Sequence, residues 1–327
     1  MIDFVGKRKL FFIISVVIIL IGLVFTLPVG PMGLKWSIDF TGGSTMTMHF
    51  EQAVSQADIM SVMTSLGHSE AKIQRATGQG ISENTFVVRT KKLEEHVQDS
   101  VTGNTIAEQQ KIKEALVAQL GTMEITDSYD MTSTMAKSVA NKAVIAVVVA
   151  SICIALYVAW AFRKMKHAFR LGVCAIVALI HDAVICIGIY ALMGTFFAVE
   201  VDAMFITAIL TVIGYSVNDT VVVYDRIREN SLKHPGLPLA TVINNSINET
   251  IARSINTSMT VLLVLLALFL IGGPSIHNFV FVMFVGIVAG TYSSIFIASP
   301  LLIEWESGRL GRVLRRFSLR RRALARG

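Results

Sequence analysis

The sequence predicts an α-helical polytopic membrane protein with six transmembrane helices and a small α+β domain of the ferredoxin-like type. Hydrophobic residues make up 53% of the chain and charged residues only 16%, whereas soluble domains carry about a quarter charged residues. Six segments stay apolar over the roughly 20 residues that a helix needs to cross a bilayer. Residues 31–137 differ, because their apolar residues recur with the periods of strands and short helices.

The first apolar segment, residues 10–28, follows Lys7-Arg8-Lys9. A cleaved signal peptide begins in the same way, and it is the alternative interpretation of this segment. The apolar run from Phe11 to Leu27 is long for a signal peptide, and no A-x-A cleavage site follows it. We therefore interpret residues 1–30 as a short cytoplasmic N-terminus and an uncleaved transmembrane helix.

The segment 31–137 is predicted to form one extracytoplasmic domain. Its strand-like stretches are 44–50, 71–77, 85–91 and 123–129, and its helical stretches are 56–66 and 106–120. This β-α-β-β-α-β order is that of the split βαβ, ferredoxin-like fold. The domain has no phosphate-binding loop, nucleophile motif or His-Cys cluster, so we expect a binding or mechanical module without catalytic residues, cofactor or metal. We place His49, His68 and His96 at its surface or edges.

The remaining spans are predicted at 139–161, 171–193, 203–224, 253–272 and 279–303, within a bundle that covers residues 138–304. Basic residues flank alternate ends of these spans, and the loops 194–202 and 273–278 contain no Lys or Arg. Since Lys and Arg favour the cytoplasmic side, both termini are predicted to be cytoplasmic. The basic tail, residues 305–327, could bind RNA or ribosomes. We favour anionic lipid headgroups and expect no nucleic acid.

Ionisable residues inside a bilayer are costly and therefore candidates for function. The third span carries His181-Asp182, and the fourth carries Asn218-Asp219. The fifth span must begin near Arg253, because the apolar stretch after it is too short to cross alone. Asp219 and Arg253 then reach similar depth on antiparallel helices, and a facing arginine would keep the carboxylate ionised. We predict that these five residues form a proton path; a structural ion pair is the alternative.

Two catalytic alternatives remain open at this point. Asp182 and Asp219 could act as the facing carboxylates of an intramembrane aspartyl protease. A membrane serine protease would need a Ser-His pair, but His181 has no nucleophile motif as a partner. Neither pattern is specific. Asp225-Arg226, at the end of the fourth span, is interpreted as a membrane-boundary and loop feature.

Several motifs resemble those of the SecD/SecF family of protein-export membrane proteins. Residues 36–43, WSIDFTGG, resemble the family signature G-x-D-F-T-G-G, and residues 178–182, ALIHD, resemble its A-x-x-H-D motif. Residues 213–230, IGYSVNDTVVVYDRIREN, are close to the family consensus for the fourth span, and residues 244–258 and 290–300 match later blocks. The chain departs from the pattern in detail, since the family commonly has Thr at the position of Ser254.

The resemblance implies an RND-like bundle and a proton-driven, non-enzymatic role in protein export. It implies a SecD-like partner chain, a SecYEG-type translocon, an unfolded preprotein as substrate and the bacterial inner membrane as location. By position, Asp219 resembles the family's proton-path carboxylate and Arg253 its partner arginine. The other motif positions are Asp39, Phe40, Gly42, Gly43, Gly214, Tyr215, Asp225 and Arg226. An RND-type exporter of a small molecule or lipid is the alternative, but it would need a much larger outer domain.

Overall fold

The computed structural model describes residues 2–30, 32–76, 82–94, 97–98, 105–163, 168–197 and 199–308. His96 and the predicted basic tail from residue 309 onward lie outside the described residues. The helices are α1 (Arg8–Thr26), α2 (Ile38–Thr41), α3 (Gln56–Ser65), α4 (Glu108–Leu120), α5 (Ser133–Ala161), α6 (Ala168–Phe197), α7 (Ala203–Lys233), α8 (Leu239–Ile271), α9 (Pro274–Ser293) and α10 (Ser299–Glu306). The strands are β1 (Gly43–Phe50), β2 (Lys72–Arg75), β3 (Thr85–Thr90), β4 (Val97–Gln98), β5 (Thr105–Ile106) and β6 (Met123–Met131).

Six helical spans in the described part of the chain are long and apolar enough to cross a membrane, which confirms the predicted number. They are α1, α5, α6, α7, α8 and a sixth that runs from α9 through a π-helical turn, Ser294–Ala298, into α10. Helices α7 and α8 are longer than predicted, because both continue past the apolar segment and pair with each other through polar side chains. Asp225 and Arg226 are therefore helical, and their placement in a loop was wrong.

The outer domain has the predicted order of elements, with the short β4–β5 pair added among the described residues. Its main sheet has the order β2-β3-β1-β6, and all neighbouring strands are antiparallel. This is the arrangement of a split βαβ fold. Alternate residues of β1 face the core, where Met46, Met48 and Phe50 pack with α3 and α4. The fold class predicted from the sequence is confirmed.

One histidine of this domain was placed wrongly. His68 is only 1% exposed, although the sequence suggested a surface position. It follows the turn that ends α3, where Gly67 has a positive φ of 90°, and its backbone N–H donates to Met63 O. Short polar turns usually lie in solvent, but here the start of α4 packs against the turn through Glu108. His49 is partly buried on β1.

Glycines bring two pairs of membrane helices close together, α1 with α6 and α7 with α9. A Cβ at Gly22 of α1 would lie 2.8 Å from Gly188 Cα of α6. A Cβ at Gly290 of α9 would lie 2.9 Å from Ser216 Cβ of α7, and one at Gly286 would overlap Val212. Small residues allow membrane helices to approach closely, because backbone then packs on backbone. The central pair of the bundle is α7 and α9.

The segment before α1 is fixed to α8 by two side-chain amides. Asn244 Oδ1 accepts the backbone N–H groups of Phe4 and Val5, and Asn248 Oδ1 accepts that of Ile2. Both amide groups donate to Ile2 O, at 3.1 and 2.8 Å. Phe4 is buried and packs edge-on against Phe296 of the π-helical turn. We call this arrangement the amide clamp; it joins the start of the chain to the bundle end opposite the outer domain.

Candidate functional site

A buried carboxylate joins three helices at the centre of the bundle. Asp182 of α6 is fully buried and accepts three hydrogen bonds. His181 Nδ1 donates at 2.9 Å, Ser216 Oγ of α7 at 2.6 Å and Ser293 Oγ of α9 at 2.8 Å. The ring of His181 stacks on Tyr292, and its buried Nε2 has no hydrogen-bond partner in the described part of the chain. Asp182 therefore has its acceptors well occupied and fixes the positions of its neighbours.

The second buried carboxylate, Asp219, has a sparser set of partners. It is 4% exposed on α7, and Ser258 Oγ of α8 donates to its Oδ2 at a long 3.4 Å. Ser258 Oγ also lies 2.6 Å from Thr291 Oγ1 of α9. Ser254, one turn before Ser258, lies close to the same carboxylate, and its buried hydroxyl forms no hydrogen bond with the described residues. Asp219 thus sits among hydroxyl groups, and that of Ser254 has an unused proton.

The expected ion pair between Asp219 and Arg253 is not formed. Among the contacts of the described residues no cation reaches Asp219, and the Arg253 side chain is exposed on the outside of the bundle. The reason is helical geometry, since successive residues of a helix are rotated by about 100°. Ser254 and Ser258 occupy the face of α8 towards Asp219, so Arg253 points away from it.

The two carboxylates are not paired with each other either. Asp182 and Asp219 share no hydrogen bond, and each has its own set of hydroxyl partners. An aspartyl protease needs two carboxylates that share a proton. The geometry therefore does not support the proteolytic alternative.

Helices α7 and α8 each carry an exposed polar stripe within the bundle's membrane-facing surface. Asn218 and Gly214 are exposed on α7, together with Thr211, and Tyr215 beside them is partly buried, its hydroxyl 3.5 Å from Ser258 Oγ. On α8 the exposed residues are Arg253, Asn256 and Thr257. Polar side chains are expensive to expose to lipid. The polar stripes therefore indicate a face that another polypeptide covers.

The WSIDFTGG motif forms the joint between the outer domain and the bundle. Asp39 Oδ1 accepts a hydrogen bond from the Tyr129 hydroxyl of β6 at 2.7 Å, and Asp39 Oδ2 accepts one from the Ala203 N–H at 2.9 Å. Ala203 is the first residue of α7, where a carboxylate is favoured by the exposed N–H groups. Burial, and secondly the bond to Asp39, raise the pKa of Tyr129, so its hydroxyl remains a donor. Asp39 thus connects the sheet directly to the helix that carries Asp219.

The rest of the motif supplies the backbone geometry of this joint. Gly42 and Gly43 have φ values of 78° and 142°, which side chains disfavour. A Cβ at Gly43 would also lie 2.5 Å from Thr90 O, and one at Gly42 would lie 3.1 Å from Ser133 Cα at the start of α5. Phe40 packs against the bundle core and edge-on against Trp36. Only glycine allows the backbone at the start of β1 to lie this close to β3 and to the start of α5.

Sequence reasoning missed a second connection at the joint. Glu200, in the connection between α6 and α7, is buried and lies 3.0 Å from Lys72 Nζ of β2 and 3.1 Å from Arg89 of β3. A cavity of about 170 Å³ adjoins it, also lined by Glu70 and Trp36. The only signal for it in the sequence was a pair of acidic residues, Glu200 and Asp202, in a loop without Lys or Arg.

At the opposite end, polar contacts hold α7 and α8 together beyond their apolar segments. Arg226 donates at 2.5 Å to both Glu229 and Glu249, and Asn230 donates to Ser246 and Glu249. Asp225 pairs instead with Arg228 on its own helix. The motif residues Asp225 and Arg226 therefore belong to a helical hairpin and lie away from the buried carboxylates.

Comparisons with known proteins agree with this architecture. The family model "Protein export membrane protein SecD/SecF, C-terminal" matches residues 111–308, and the model "SecD/SecF GG Motif" matches residues 32–54. Protein translocase subunit SecF of Thermobaculum terrenum is 41% identical over 97% of this chain and 98% of that protein. The same subunit of Anaerolinea thermophila is 40% identical over 94% and 95% of the two chains.

Solved structures show the same fold. The crystal structure of SecDF, a translocon-associated membrane protein from Thermus thermophilus, matches with a TM-score of 0.78 and 31% identity over 94% of this chain. SecDF in its super-membrane-facing form matches with a TM-score of 0.59 and 29% identity. The chain covers 39% of the first SecDF chain, so it spans about two fifths of that length. By its sequence and its fold, this chain belongs to the SecD/SecF family of protein-export membrane proteins, on the SecF side.

Proposed function

We propose that this chain is a non-enzymatic, proton-coupled subunit that promotes preprotein export across the bacterial cytoplasmic membrane. It would act with a SecD-like chain beside a SecYEG-type translocon, with the proton-motive force as energy source. The observation that carries the proposal is Asp219: a buried carboxylate in the bundle, surrounded by hydroxyl groups and, among the described residues, without a cation.

The surroundings of Asp219 suit a group that gains and loses a proton. A lone carboxylate charge is costly away from water, so this arrangement favours the neutral, protonated form. Arg253 lies one residue from Ser254, which faces the carboxylate. A rotation of α8 by about 100° would replace the serine by the arginine, and an adjacent guanidinium favours the ionised form. Proton release and rotation of α8 would then occur together.

The motif joint offers a mechanical connection from this site to the outer domain. Asp219 and Ala203 lie on the same continuous helix, α7, and Ala203 N–H is bonded to Asp39. A shift of α7 would therefore act on β6 through Tyr129. A proton that moves down about 150 mV releases roughly 3.5 kcal/mol, at about 2.3 kcal/mol per 100 mV. That energy can change the ratio of two conformations more than a hundredfold.

The polar stripes support a partner within the membrane. They lie on α7 and α8, next to the buried site, and contain Arg253 and Asn218. A SecD-like chain that covers them would shield these groups from lipid. The solved relative SecDF is a translocon-associated membrane protein, which supports a place beside the translocon for this chain.

The test is Asp219→Asn in the full chain, reconstituted with a SecD-like partner and the translocon. Asparagine keeps the hydrogen bonds but cannot release a proton, so stimulation of export by a proton gradient should be lost while export driven by other energy sources persists. Asp127→Asn, at an exposed position of the outer domain, is the control and should retain stimulation. Unchanged gradient-driven export in Asp219→Asn would show that this carboxylate is not on the proton path.

A further inference from the structure

We propose that the outer domain binds a proton of its own at His68, between the imidazole ring and the carboxylate of Glu108. The site lies outside the membrane helices and is separate from the carboxylates of the bundle. It therefore goes beyond the proposed function and stands or falls independently of it.

The hydrogen bonds on one side of His68 assign a proton to Nδ1. This nitrogen lies 3.0 Å from Thr90 Oγ1, at the end of β3. The Thr90 hydroxyl has one proton, which it donates to Glu70 Oε1 at 3.1 Å. The pKa of Glu70 is lowered, first by its own backbone N–H and further by Thr90, so it is an ionised acceptor that this proton favours. Thr90 Oγ1 must then accept from His68, and Nδ1 carries a hydrogen.

The contact on the other side needs a second proton. His68 Nε2 lies 3.1 Å from Glu108 Oε1, on the first turn of α4, and this buried nitrogen forms no hydrogen bond among the described residues. If Nδ1 carries the only ring proton, Nε2 presents a lone pair to a carboxylate oxygen, and the contact is repulsive. A proton on Nε2 converts the same contact into an ion pair. Glu94 N–H donates to Glu108 Oε2 at 2.6 Å, which favours the carboxylate form of Glu108.

The charges that surround the ring agree with a buried cation. Glu70 faces it from the turn after α3, at 3.7 Å from Nδ1, and Glu108 faces it from α4. Lys91, after β3, contacts Gly67 O and offsets part of the Glu70 charge. A neutral ring would leave two carboxylates close together across a buried side chain. An imidazolium offsets both, because it forms a charge-assisted contact on each side.

The position of the site gives the proton a structural consequence. His68, Thr90 and Glu108 belong to the end of α3, the end of β3 and the start of α4, so the proton holds three elements of the domain together. Glu70 and Thr90 also line the cavity beside Glu200 at the joint with the bundle. Loss of the proton would loosen this corner of the domain, on the side of the membrane that the proton gradient makes acidic.

The decisive measurement is nitrogen NMR of the full chain, labelled with 15N-histidine and held in detergent micelles at neutral pH. In the wild type, Nδ1 and Nε2 of His68 should both resonate in the range of a protonated imidazolium. Glu108→Gln, whose amide oxygen can still accept from Glu94 N–H, should convert His68 to a neutral ring protonated on Nδ1 alone. His49→Gln is the matched control: His49 also contacts a threonine, Thr85, but forms no ion pair among the described residues, and its loss should not alter His68.

Other outcomes contradict the proposal. A wild-type His68 ring that is neutral at neutral pH, with Nε2 in the range of an unprotonated nitrogen, would overturn it whatever the variants do. So would an imidazolium that persists in Glu108→Gln. The wild-type spectrum needs no substitution, so the proposal is decided even if a variant does not fold. None of these readouts depends on export, and they are therefore distinct from the test of Asp219.

Discussion

At the scale of single residues, the two membrane carboxylates differ in how fully their acceptors are occupied. Asp182 has three donors from three helices, with none longer than 2.9 Å. Asp219 has one long bond and an unused serine hydroxyl beside it. A saturated acceptor holds its surroundings in one arrangement, whereas a sparsely bonded one can change partners. In the proton-path hypothesis, we therefore expect Asp182 to position its neighbours and Asp219 to bind and release the proton.

This difference predicts the effect of replacing Asp182. Asp182→Ala leaves the donors of His181 and Ser216 unpaired, whereas Ser293 Oγ can still donate to Gly290 O. Each unpaired buried donor costs about 1–3 kcal/mol. We expect a loss of about 3 kcal/mol or more in the free energy of unfolding, measured by thermal denaturation in detergent. Asp182→Asn keeps an acceptor oxygen and should lose about half as much, with its fold retained. Equal stability of the Ala variant and the wild type would refute a structural network at this position.

At the scale of elements, Gly42 and Gly43 of the joint between the outer domain and the bundle determine the backbone path into β1. Gly43 and Gly67 both have positive φ, at 142° and 90°. They differ in the room available for a side chain: a Cβ at Gly43 would lie 2.5 Å from Thr90 O, whereas one at Gly67 would have no neighbour within 4 Å. The two positions therefore separate the cost of backbone strain from the cost of a close approach.

We predict that Gly67→Ala costs about 1–2 kcal/mol, the usual penalty of left-handed backbone for a side chain. Gly43→Ala should cost clearly more and should also displace the outer domain from α5 and α7. Thermal unfolding measures the first effect. Crosslinking of cysteines placed at Tyr129 and Ala203 measures the second, and should fall only in Gly43→Ala. If both alanine variants behave alike, the close approach at Gly43 has no structural importance.

Sequence patterns predicted elements better than the orientation of residues within them. Hydropathy is a local property, so the six spans and the strand order of the outer domain followed from the sequence. Which face of α8 meets Asp219 depends on its neighbours, and this is why Ser254 and Ser258 took the place expected for Arg253. The hydroxyl partners Ser216, Ser293 and Thr291 had no distinctive signal, because single serines and threonines are common in membrane helices. Burial of His68 likewise required the position of α4.

At the scale of the whole molecule, the polar stripes on α7 and α8 are hard to reconcile with a chain surrounded only by lipid. Arg253, Asn256 and Thr257 are exposed on α8, while the exposed residues nearer its other end are apolar. The polar part is the part that lies near Asp219. A partner that covers it would both complete the membrane surface and control access to the buried carboxylate.

We predict that Asn256→Leu combined with Thr257→Leu weakens association with a SecD-like chain about tenfold, equivalent to about 1.4 kcal/mol. The measure is co-purification and the dissociation constant in nanodiscs. Leu263→Val, at an exposed apolar position of the same helix, is the control and should associate normally. Normal association of the double variant would show that the partner binds elsewhere. The monomer should remain folded in each case, because all three residues are exposed.

The amide clamp has a consequence for how the chain tolerates change near its start. The hydrogen bonds of Asn244 and Asn248 to Ile2, Phe4 and Val5 all involve main-chain atoms of those three residues. The two amides therefore recognise the position of the backbone and not the identity of the side chain. Three positions after Val5, Arg8 is paired with Glu304 of α10 at 2.7 Å. The amide clamp and the Arg8–Glu304 ion pair therefore fix the number of residues that can lie between them. Exposed side chains such as Ile2 are free to vary. One residue inserted or deleted between the two contacts would break either the hydrogen bonds of the amide clamp or the ion pair between Arg8 and Glu304.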